Sequence, residues 1–403
     1  MKSPLDALVA AELKRQNEGL ELIASENFTS RKVRSLCASV LTNKYAEGFP
    51  GRRYYGGCHI VDQVEQLAID QACALFGCRF ANVQPHSGSS ANMIAYAAVL
   101  KPGEKIMTLA LDEGGHLTHG SPVSFSGKTY QVVHYHLGLD GRIDYDAMAE
   151  LARKEKPQLI LAGFSAYPYQ IDFARFGAVA HEIGAYFMVD IAHISGLVAT
   201  GFHPSPFPHA DIVTSTTHKT IRGPRGGLIL TNNEDIAKKI NSATFPGLQG
   251  GPLMHIIAAK AQCFIEAAEP AFKTYIGRVV ENTKACADEF AKLGAEVSGT
   301  ETHLFLMNTK SSFNLTGVEA QNKVEEIGIT INKNMIPHDT EKPSITSGVR
   351  IGLAATTTRG LTPEGARKIA RVIHGYLKGT IDQVAAQRIT REIVNSLIPV
   401  DVL

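Results

Sequence analysis

The sequence predicts an α/β protein, with a mainly parallel sheet covered by helices on both faces and a smaller α+β region after it. Three observations carry this. Short apolar stretches alternate with amphipathic stretches at helical spacing from about residue 83 to the 260s. Two neighbouring strands, Ile212 to Thr216 and Leu228 to Leu230, flank a ten-residue turn from Thr217 to Gly226. That turn is too short for a helical crossover, so the second strand is expected to return antiparallel. Beyond Gly247-Leu-Gln-Gly-Gly-Pro252 the texture changes to a long amphipathic helix, short strands and two further helices. The expected organisation is an N-terminal arm over 1–69, a large domain over 70–266 and a small domain over 267–403.

The turn carries Lys219, among Thr216, Thr217, His218 and glycines at the lip of the sheet. An amine there can be desolvated, lowered in pKa and condensed with an aldehyde, although most lysines are solvated surface groups. The stretch Ala185 to His193 is an apolar strand ending in Asp190, and ligands of open α/β sheets gather outside such strand ends. A lysine-linked aldehyde whose ring nitrogen faces an aspartate is pyridoxal 5'-phosphate, because the carboxylate keeps the ring protonated and electron-poor. A lone aspartate there would otherwise be an N-cap or a structural ion pair.

The other elements follow in chain order. Ser3-Pro4 opens a helix with Leu5, Leu8, Val9 and Leu13 on one face, a face that needs something to cover. Leu41 to Gly57 is dense in Gly, Tyr, Arg and Lys and reads as a loop, in which Glu47 is a candidate acid or base against the plainer reading of a solvated carboxylate. Ser87, Gly88 and Ser89 open a helix, a cradle for phosphate or an ordinary cap. Strands at Ile106 to Leu109, Gln131 to Val133 and Leu159 to Phe164 alternate with helices at Tyr145 to Lys154 and Phe173 to Ile183. His116, beside glycines, can stack on a flat ring, and Ser165 lies at a strand end facing the same crevice. The long helix spans Ala271 to Leu293, with short strands at Leu304 to Met307, Ile329 to Ile331 and Val349 to Ile351 after it and helices near Glu364 to Leu377 and Ile381 to Leu397. Arg350, in the last of these strands, is a candidate carboxylate clamp.

Composition excludes other classes. A net charge of +1, from 40 basic and 39 acidic residues, provides no field for nucleic acid. No apolar run approaches a membrane span, and no signal-peptide core is expected. Six cysteines without zinc spacing read as reduced thiols in a cytoplasm, with no metal.

Taken together, Leu22-Ile-Ala-Ser-Glu-Asn27, Tyr45-Ala-Glu-Gly48, Tyr54-Tyr-Gly-Gly57, His86-Ser-Gly-Ser89, Gly114-Gly-His-Leu-Thr-His-Gly120, Val189-Asp-Ile-Ala-His193, Thr216-Thr-His-Lys219 and Gly223-Pro-Arg-Gly-Gly227 resemble the serine hydroxymethyltransferases over nearly the whole chain. The resemblance implies the type I pyridoxal-phosphate fold, aspartate aminotransferase-like, with a seven-stranded sheet. It implies reversible transfer of the hydroxymethyl group of L-serine to tetrahydrofolate, giving glycine and 5,10-methylenetetrahydrofolate. By the same resemblance Lys219 holds the cofactor covalently, Asp190 pairs with its ring nitrogen, His116 stacks on it, and Ser165 and His193 lie near its phenolic oxygen. Ser87, Gly88, Ser89 and His218, with Gly251 from a second subunit, surround the phosphate. Arg350 and Ser25 hold the substrate carboxylate, and Leu111, Gly115, Leu117 and Asn334 contact folate. Tyr45, Glu47 and Tyr55 enter from the neighbouring subunit of a homodimer. The expected catalytic set is Lys219, Glu47, His116, Asp190, Tyr55, Thr216 and His218. Glu113, Tyr169 and Leu353 depart from the family pattern, and Leu353 motivates a rival, a folate-independent aldolase or an α-methylserine hydroxymethyltransferase. A binding protein that merely keeps the fold is the rival of another class; joint retention of Lys219, Asp190, Glu47 and Arg350 argues against it.

Overall fold

Aliphatic runs bounded by Gly, Pro, Asn and Asp form a seven-stranded sheet in a computed structural model that describes residues 3–403. Its strands are β1 (Phe80–Asn82), β2 (Lys105–Leu109), β3 (Gln131–Tyr135), β4 (Leu159–Ala162), β5 (Tyr186–Asp190), β6 (Ile212–Thr216) and β7 (Gly227–Thr231). The order across the sheet is β1, β7, β6, β5, β4, β2, β3. Strands β2 to β6 run parallel, and β7 lies antiparallel to both β6 and β1, with Gly227 opposite Thr216. The expected antiparallel return is therefore present. Every residue of β4, β6 and β7 is buried, as a sheet covered on both faces requires. Strand order reverses between β2 and β4, and a crevice opens at such a switch point beyond the strand ends. Strand β1 escaped the sequence reading because three residues are too few to show a period.

Two compact units emerge from the contacts: Lys32–Ser165 with Gln170–Lys273, and the residues up to Arg31 with Ala166–Tyr169 and Thr274–Leu403. The contacts divide the chain differently from the expected three parts. The arm over 1–69 is split because its halves bury their groups in different places. Leu20 and Glu21 pair in parallel with Ile329 and Thr330, and Leu20 and Leu22 are buried in the core of the C-terminal unit. The helix His59–Phe76 instead offers Glu65 to Arg53 and Gln84 of the sheet-bearing unit. The later boundary moves from 266 to 273. Met1 and Lys2 lie outside the described residues.

The C-terminal unit has a four-stranded antiparallel sheet of β8 (Glu296–Val297), β9 (Leu304–Asn308), β10 (Asn332–Asn334) and β11 (Gly348–Gly352), ordered β8, β9, β11, β10. Phe290, Phe305, Ile351 and Ile373 share its core. Its expected helices lie at Pro363–Lys378 and Gln383–Asn395. The N-terminal helix Pro4–Glu18 starts as read, with Ser3 and Asp6 forming a capping box. Leu5, Leu8 and Val9 on it are 66%, 64% and 68% exposed, so the single chain leaves this apolar face uncovered. Among the described residues no helix is long and apolar enough to cross a membrane.

Gly163, at the end of β4, has φ +144°, and a Cβ there would lie 2.3 Å from the carbonyl oxygen of Asp190. Gly163→Ala is expected to lower unfolding stability by about 2 kcal/mol, through backbone strain and the clash. Urea denaturation measures this; an unchanged midpoint would mean that the strand end relaxes freely.

Candidate active site

Asp190 ends β5 as a largely buried carboxylate, its side chain 11% exposed, with both oxygens engaged. Its Oδ1 accepts from the N–H of Ala192 at 3.0 Å, and its Oδ2 from Asn92 Nδ2 at 2.9 Å and His119 Nε2 at 3.0 Å. The N–H of His116 donates to Nδ1 of His119, so Nε2 is the protonated nitrogen that donates to Asp190. Burial works to raise the carboxyl pKa. The hydrogen bond from His119, then that from Asn92 and the charge of Lys219, outweigh it and hold Asp190 below the usual carboxylate range. Asn92 is fixed in turn: Thr214 donates to its Oδ1 at 2.6 Å, and its Nδ2 also reaches Thr118 Oγ1 at 2.8 Å. Thr118 meets Nδ1 of His116 at 2.7 Å, which orients that imidazole on the loop after β2. Ser165, after β4, is tied to the same loop by its N–H to the Gly114 carbonyl at 2.7 Å. His116 and Ser165 thus sit at the switch point.

Lys219 is 8% exposed. The turn holding it is closed by the Thr217 N–H to Gly226 carbonyl bond at 3.1 Å and by Thr217 Oγ1 on the Pro224 carbonyl at 2.6 Å. Two hydroxyls staple this turn to the chain just beyond Asp190: Thr216 Oγ1 donates to the Ala192 carbonyl at 3.4 Å and Thr220 Oγ1 to that of His193 at 2.9 Å. Lys219 is near enough for its charge to help lower the Asp190 carboxyl pKa.

The helix Gly88–Val99 begins against this turn. Ser87 is its N-cap, its Oγ accepting from the Ser90 N–H at 3.1 Å, so the plain capping role is real for that hydroxyl. The amides of Gly88 and Ser89, in the first turn, have no intrahelical acceptor and point outward with the positive end of the helix dipole. A Cβ on Gly88 would lie 2.5 Å from Thr216 Cγ2, so only glycine lets the helix start approach β6. Nδ1 of His218 is buried without a partner, and burial, helped by Arg225 and Lys219, pushes its pKa down to about 3. Behind the cradle Lys260, fully buried, donates to the carbonyls of Val83 at 2.7 Å, Pro85 at 2.9 Å and Gly227 at 2.8 Å. An anionic ester for the helix start and His218, a ring nitrogen for Asp190 and an aldehyde for Lys219 all fit this donor set.

Tyr45, Glu47, Tyr55 and Gly251 gather elsewhere in the same unit. The rings of Tyr45 and Tyr55 meet edge to face at 5.1 Å, and the charge of Glu47 raises the Tyr45 pKa. A Cβ on Gly251 would lie 3.3 Å from the Tyr45 ring, and one on Gly250 3.4 Å from Glu47 Oε1. The loop is held from beneath by Arg53, which donates to the carbonyls of Ala46 and Gly48 at 2.9 Å each and pairs with Asp62 at 2.8 Å and Glu65 at 2.6 Å. Gln84 joins Gly48 and Glu65 at 2.9 and 2.8 Å, linking this loop to the segment that leads into Ser87.

In the C-terminal unit, Arg350 of β11 is buried and donates to Asn332 Oδ1 at 3.2 Å. Burial lowers its pKa to about 10, which leaves it cationic at neutral pH. Ser25 lies in a turn backed onto β11: the Gly352 N–H donates to the Leu22 carbonyl at 2.9 Å, and a Cβ on Gly352 would lie 2.4 Å from Ala24 Cα. Asn334 is on β10. Leu111 and Leu117 are exposed on the loop after β2, and Gly115 there is tight, with a Cβ position 2.5 Å from the Leu109 carbonyl oxygen.

The sequence profile described as serine hydroxymethyltransferase matches residues 2–373. The chain belongs to the serine hydroxymethyltransferase family. It is 55% identical over 382 residues to the serine hydroxymethyltransferase of Crocosphaera subtropica, covering 94% of this chain and 89% of that one. It is 56% identical over 378 residues to serine hydroxymethyltransferase 2 of Rhodospirillum rubrum, covering 93% and 88%, and 56% over 377 residues to the Lactobacillus gasseri enzyme, covering 92% and 91%. Serine hydroxymethyltransferases are pyridoxal-phosphate-dependent transferases of fold type I with tetrahydrofolate as co-substrate, and the mostly parallel sheet agrees with that fold. Sequence reasoning passed over Asn92, Thr118, His119 and Thr214, although Thr118 and His119 stand inside the Gly114 to Gly120 motif. Of the departures from the serine hydroxymethyltransferase pattern, Glu113 accepts from the Leu137 N–H at 3.0 Å and meets His136 Nδ1 at 3.2 Å, bracing the loop after β2. Tyr169 packs edge to face on Tyr167 at 5.5 Å, and Leu353 is a core residue of the C-terminal unit.

Two outcomes are expected. Arg53→Met leaves Glu65 buried without its cation and costs about 3–5 kcal/mol by chemical denaturation, whereas a loss under about 1 kcal/mol would make the pair incidental. His218 must be charged in the unfolded chain and neutral in the folded one between pH 3 and 6.5, so the unfolded state binds the extra proton and stability falls as pH drops through that window. In cofactor-free His218→Gln, the slope of unfolding free energy against pH near pH 5 should be shallower by up to about 1.4 kcal/mol per pH unit.

Proposed function

We propose that this protein transfers the hydroxymethyl group of L-serine to tetrahydrofolate, reversibly, giving glycine and 5,10-methylenetetrahydrofolate, as a cytoplasmic homodimer. The observation that carries this is a buried Asp190 held as an anion within the electrostatic reach of Lys219. Lys219 would hold pyridoxal 5'-phosphate covalently, with Asp190 at the ring nitrogen, His116 on the ring face and Ser165 and His193 at the phenolic edge. Ser87, Gly88, Ser89 and His218, with Gly251 of the partner subunit, would hold the phosphate. When bound, the cofactor supplies a protonated, electron-poor ring that takes up electron density released at the substrate α-carbon.

The chain's own residues do the rest. Asp190 keeps a proton on the ring nitrogen because its own pKa is held low. His218 stays neutral across the working pH range and donates one hydrogen bond without adding charge. Thr216 and Thr220 fix the turn so that the Lys219 amine returns to one position. Arg350, cationic at neutral pH, and Ser25 bind the substrate carboxylate. Glu47, on the loop braced by Arg53, moves the proton at the hydroxymethyl oxygen and the folate nitrogen, assisted by Tyr55 and Tyr45. Leu111, Gly115, Leu117 and Asn334 contact folate. Dimerisation is supported by the clustering of Tyr45, Glu47, Tyr55 and Gly251 in one chain, which lets all four serve a partner's site together, and by the uncovered face of the helix Pro4–Glu18.

The test joins labelling to kinetics. Borohydride reduction of the cofactor-loaded protein followed by peptide mapping should place the pyridoxyl label on Lys219, and Lys219→Ala should lose both the label and, by on the order of a thousandfold, turnover. A label on another lysine, or serine consumption that ignores tetrahydrofolate, would overturn the reading.

A further inference from the structure

Two cysteines away from the site face each other across one helix end. The helix His59–Phe76 stops at Gly77, which takes a left-handed conformation at φ +65° and donates its N–H to the Cys73 carbonyl. The N–H of Cys78 donates to the same carbonyl at 3.1 Å. This closure brings the side chains at 73 and 78 together over the helix terminus, a place where an apolar pair usually meets. Here the pair is two thiols, near enough for each to shift the other's pKa, and Cys78 Sγ donates to the Phe80 carbonyl oxygen at 3.6 Å. Both are half-buried, while Cys58, Cys263 and Cys286 are buried. Cys73 also lines an open cavity of about 350 Å³ together with Asp70, Arg79, Asn82 and Thr231, so a small reagent can reach it.

We propose that Cys73 and Cys78 form a reversible oxidation site that reacts with a small peroxide and closes to an intrachain disulfide. Side chains that this backbone closure sets at one helix end need only rotate to approach the S–S distance of about 2.05 Å. Cys73, the sulfur that lines the cavity, is the attacking one, and Cys78, which does not line it, is the resolving one. The nearby Cys78 also lowers the pKa of Cys73 against burial and the charge of Asp70. The Cys73 thiolate attacks a peroxide oxygen, the O–O bond breaks, and hydroxide leaves, giving a sulfenic acid. The Cys78 sulfur then attacks that sulfur; the S–O bond breaks and water leaves with the Cys78 proton. Two electrons pass from the thiol pair to the peroxide, and a dithiol reductant reverses the step. The bond locks the helix end to the segment that leads into β1. Cys37, the remaining half-buried thiol, has its pKa raised by burial and lacks a facing sulfur partner.

The experiment treats reduced, cofactor-loaded protein with hydrogen peroxide, blocks remaining thiols with iodoacetamide and maps the peptides. Cys73 and Cys78 should appear linked, reversibly with dithiothreitol, at least about tenfold faster than Cys37 is oxidised. In Cys78→Ser, Cys73 should accumulate a dimedone adduct and no disulfide should form. Faster oxidation of Cys37, or Cys73 passing to sulfinic acid while Cys78 remains alkylatable, would overturn the proposal; the wild-type map decides it even if the variant does not fold.

Discussion

A carboxylate kept as an anion away from water must be given hydrogen-bond donors in its place, and the interior of the sheet-bearing unit is arranged around meeting that condition at Asp190. His119, Asn92 and the Ala192 amide supply the donors. Asn92 in turn requires Thr214 and Thr118, and Thr118 orients His116. One electrostatic requirement therefore fixes residues from the first helix after β1, the loop after β2 and the ends of β5 and β6. Loosening any of them leaves a buried charge short of partners, which costs more than the loss of an ordinary hydrogen bond.

A second set of buried charges works on backbone. Arg53, Gln84 and Lys260 donate to the carbonyls of Ala46, Gly48, Val83, Pro85 and Gly227, and Glu65 accepts from both Arg53 and Gln84. Irregular backbone can be packed in an interior only when such partners exist. The loop bearing Glu47 and the segment opening the phosphate cradle are thereby held to one scaffold, with Glu65 and Gln84 in common. Loops rich in glycine and tyrosine would otherwise be the mobile part of the fold.

Much of this was legible in the residues. Strands β2 to β7 and the helices Tyr145–Glu155 and Phe173–Glu182 follow from apolar period and turn composition, and the antiparallel return of β7 follows from the length of the Lys219 turn. The candidate residues Lys219, Asp190, His116 and Arg350 stood out because an amine, a carboxylate, an imidazole and a guanidinium at strand ends or after glycines are conspicuous. Asn92, Thr118, Thr214 and Lys260 did not, since an amide, two hydroxyls and a lysine carry no local signal of what they touch. The joining of the first 31 residues to the C-terminal unit was equally silent, because the two-residue pairing of Leu20 and Glu21 with Ile329 and Thr330 spans some three hundred positions.

The linear chain was enough to settle the class of fold, the family and the chemical types gathered at the site, since those depend on residue identity, spacing along one strand or turn, and short-range preference. It could not settle which buried partners hold the Asp190 charge, which tautomer His119 adopts, or that two cysteines meet over a helix end. Those depend on which side chains the folded backbone brings within hydrogen-bond reach, and desolvation acts only once distant segments have closed around the group.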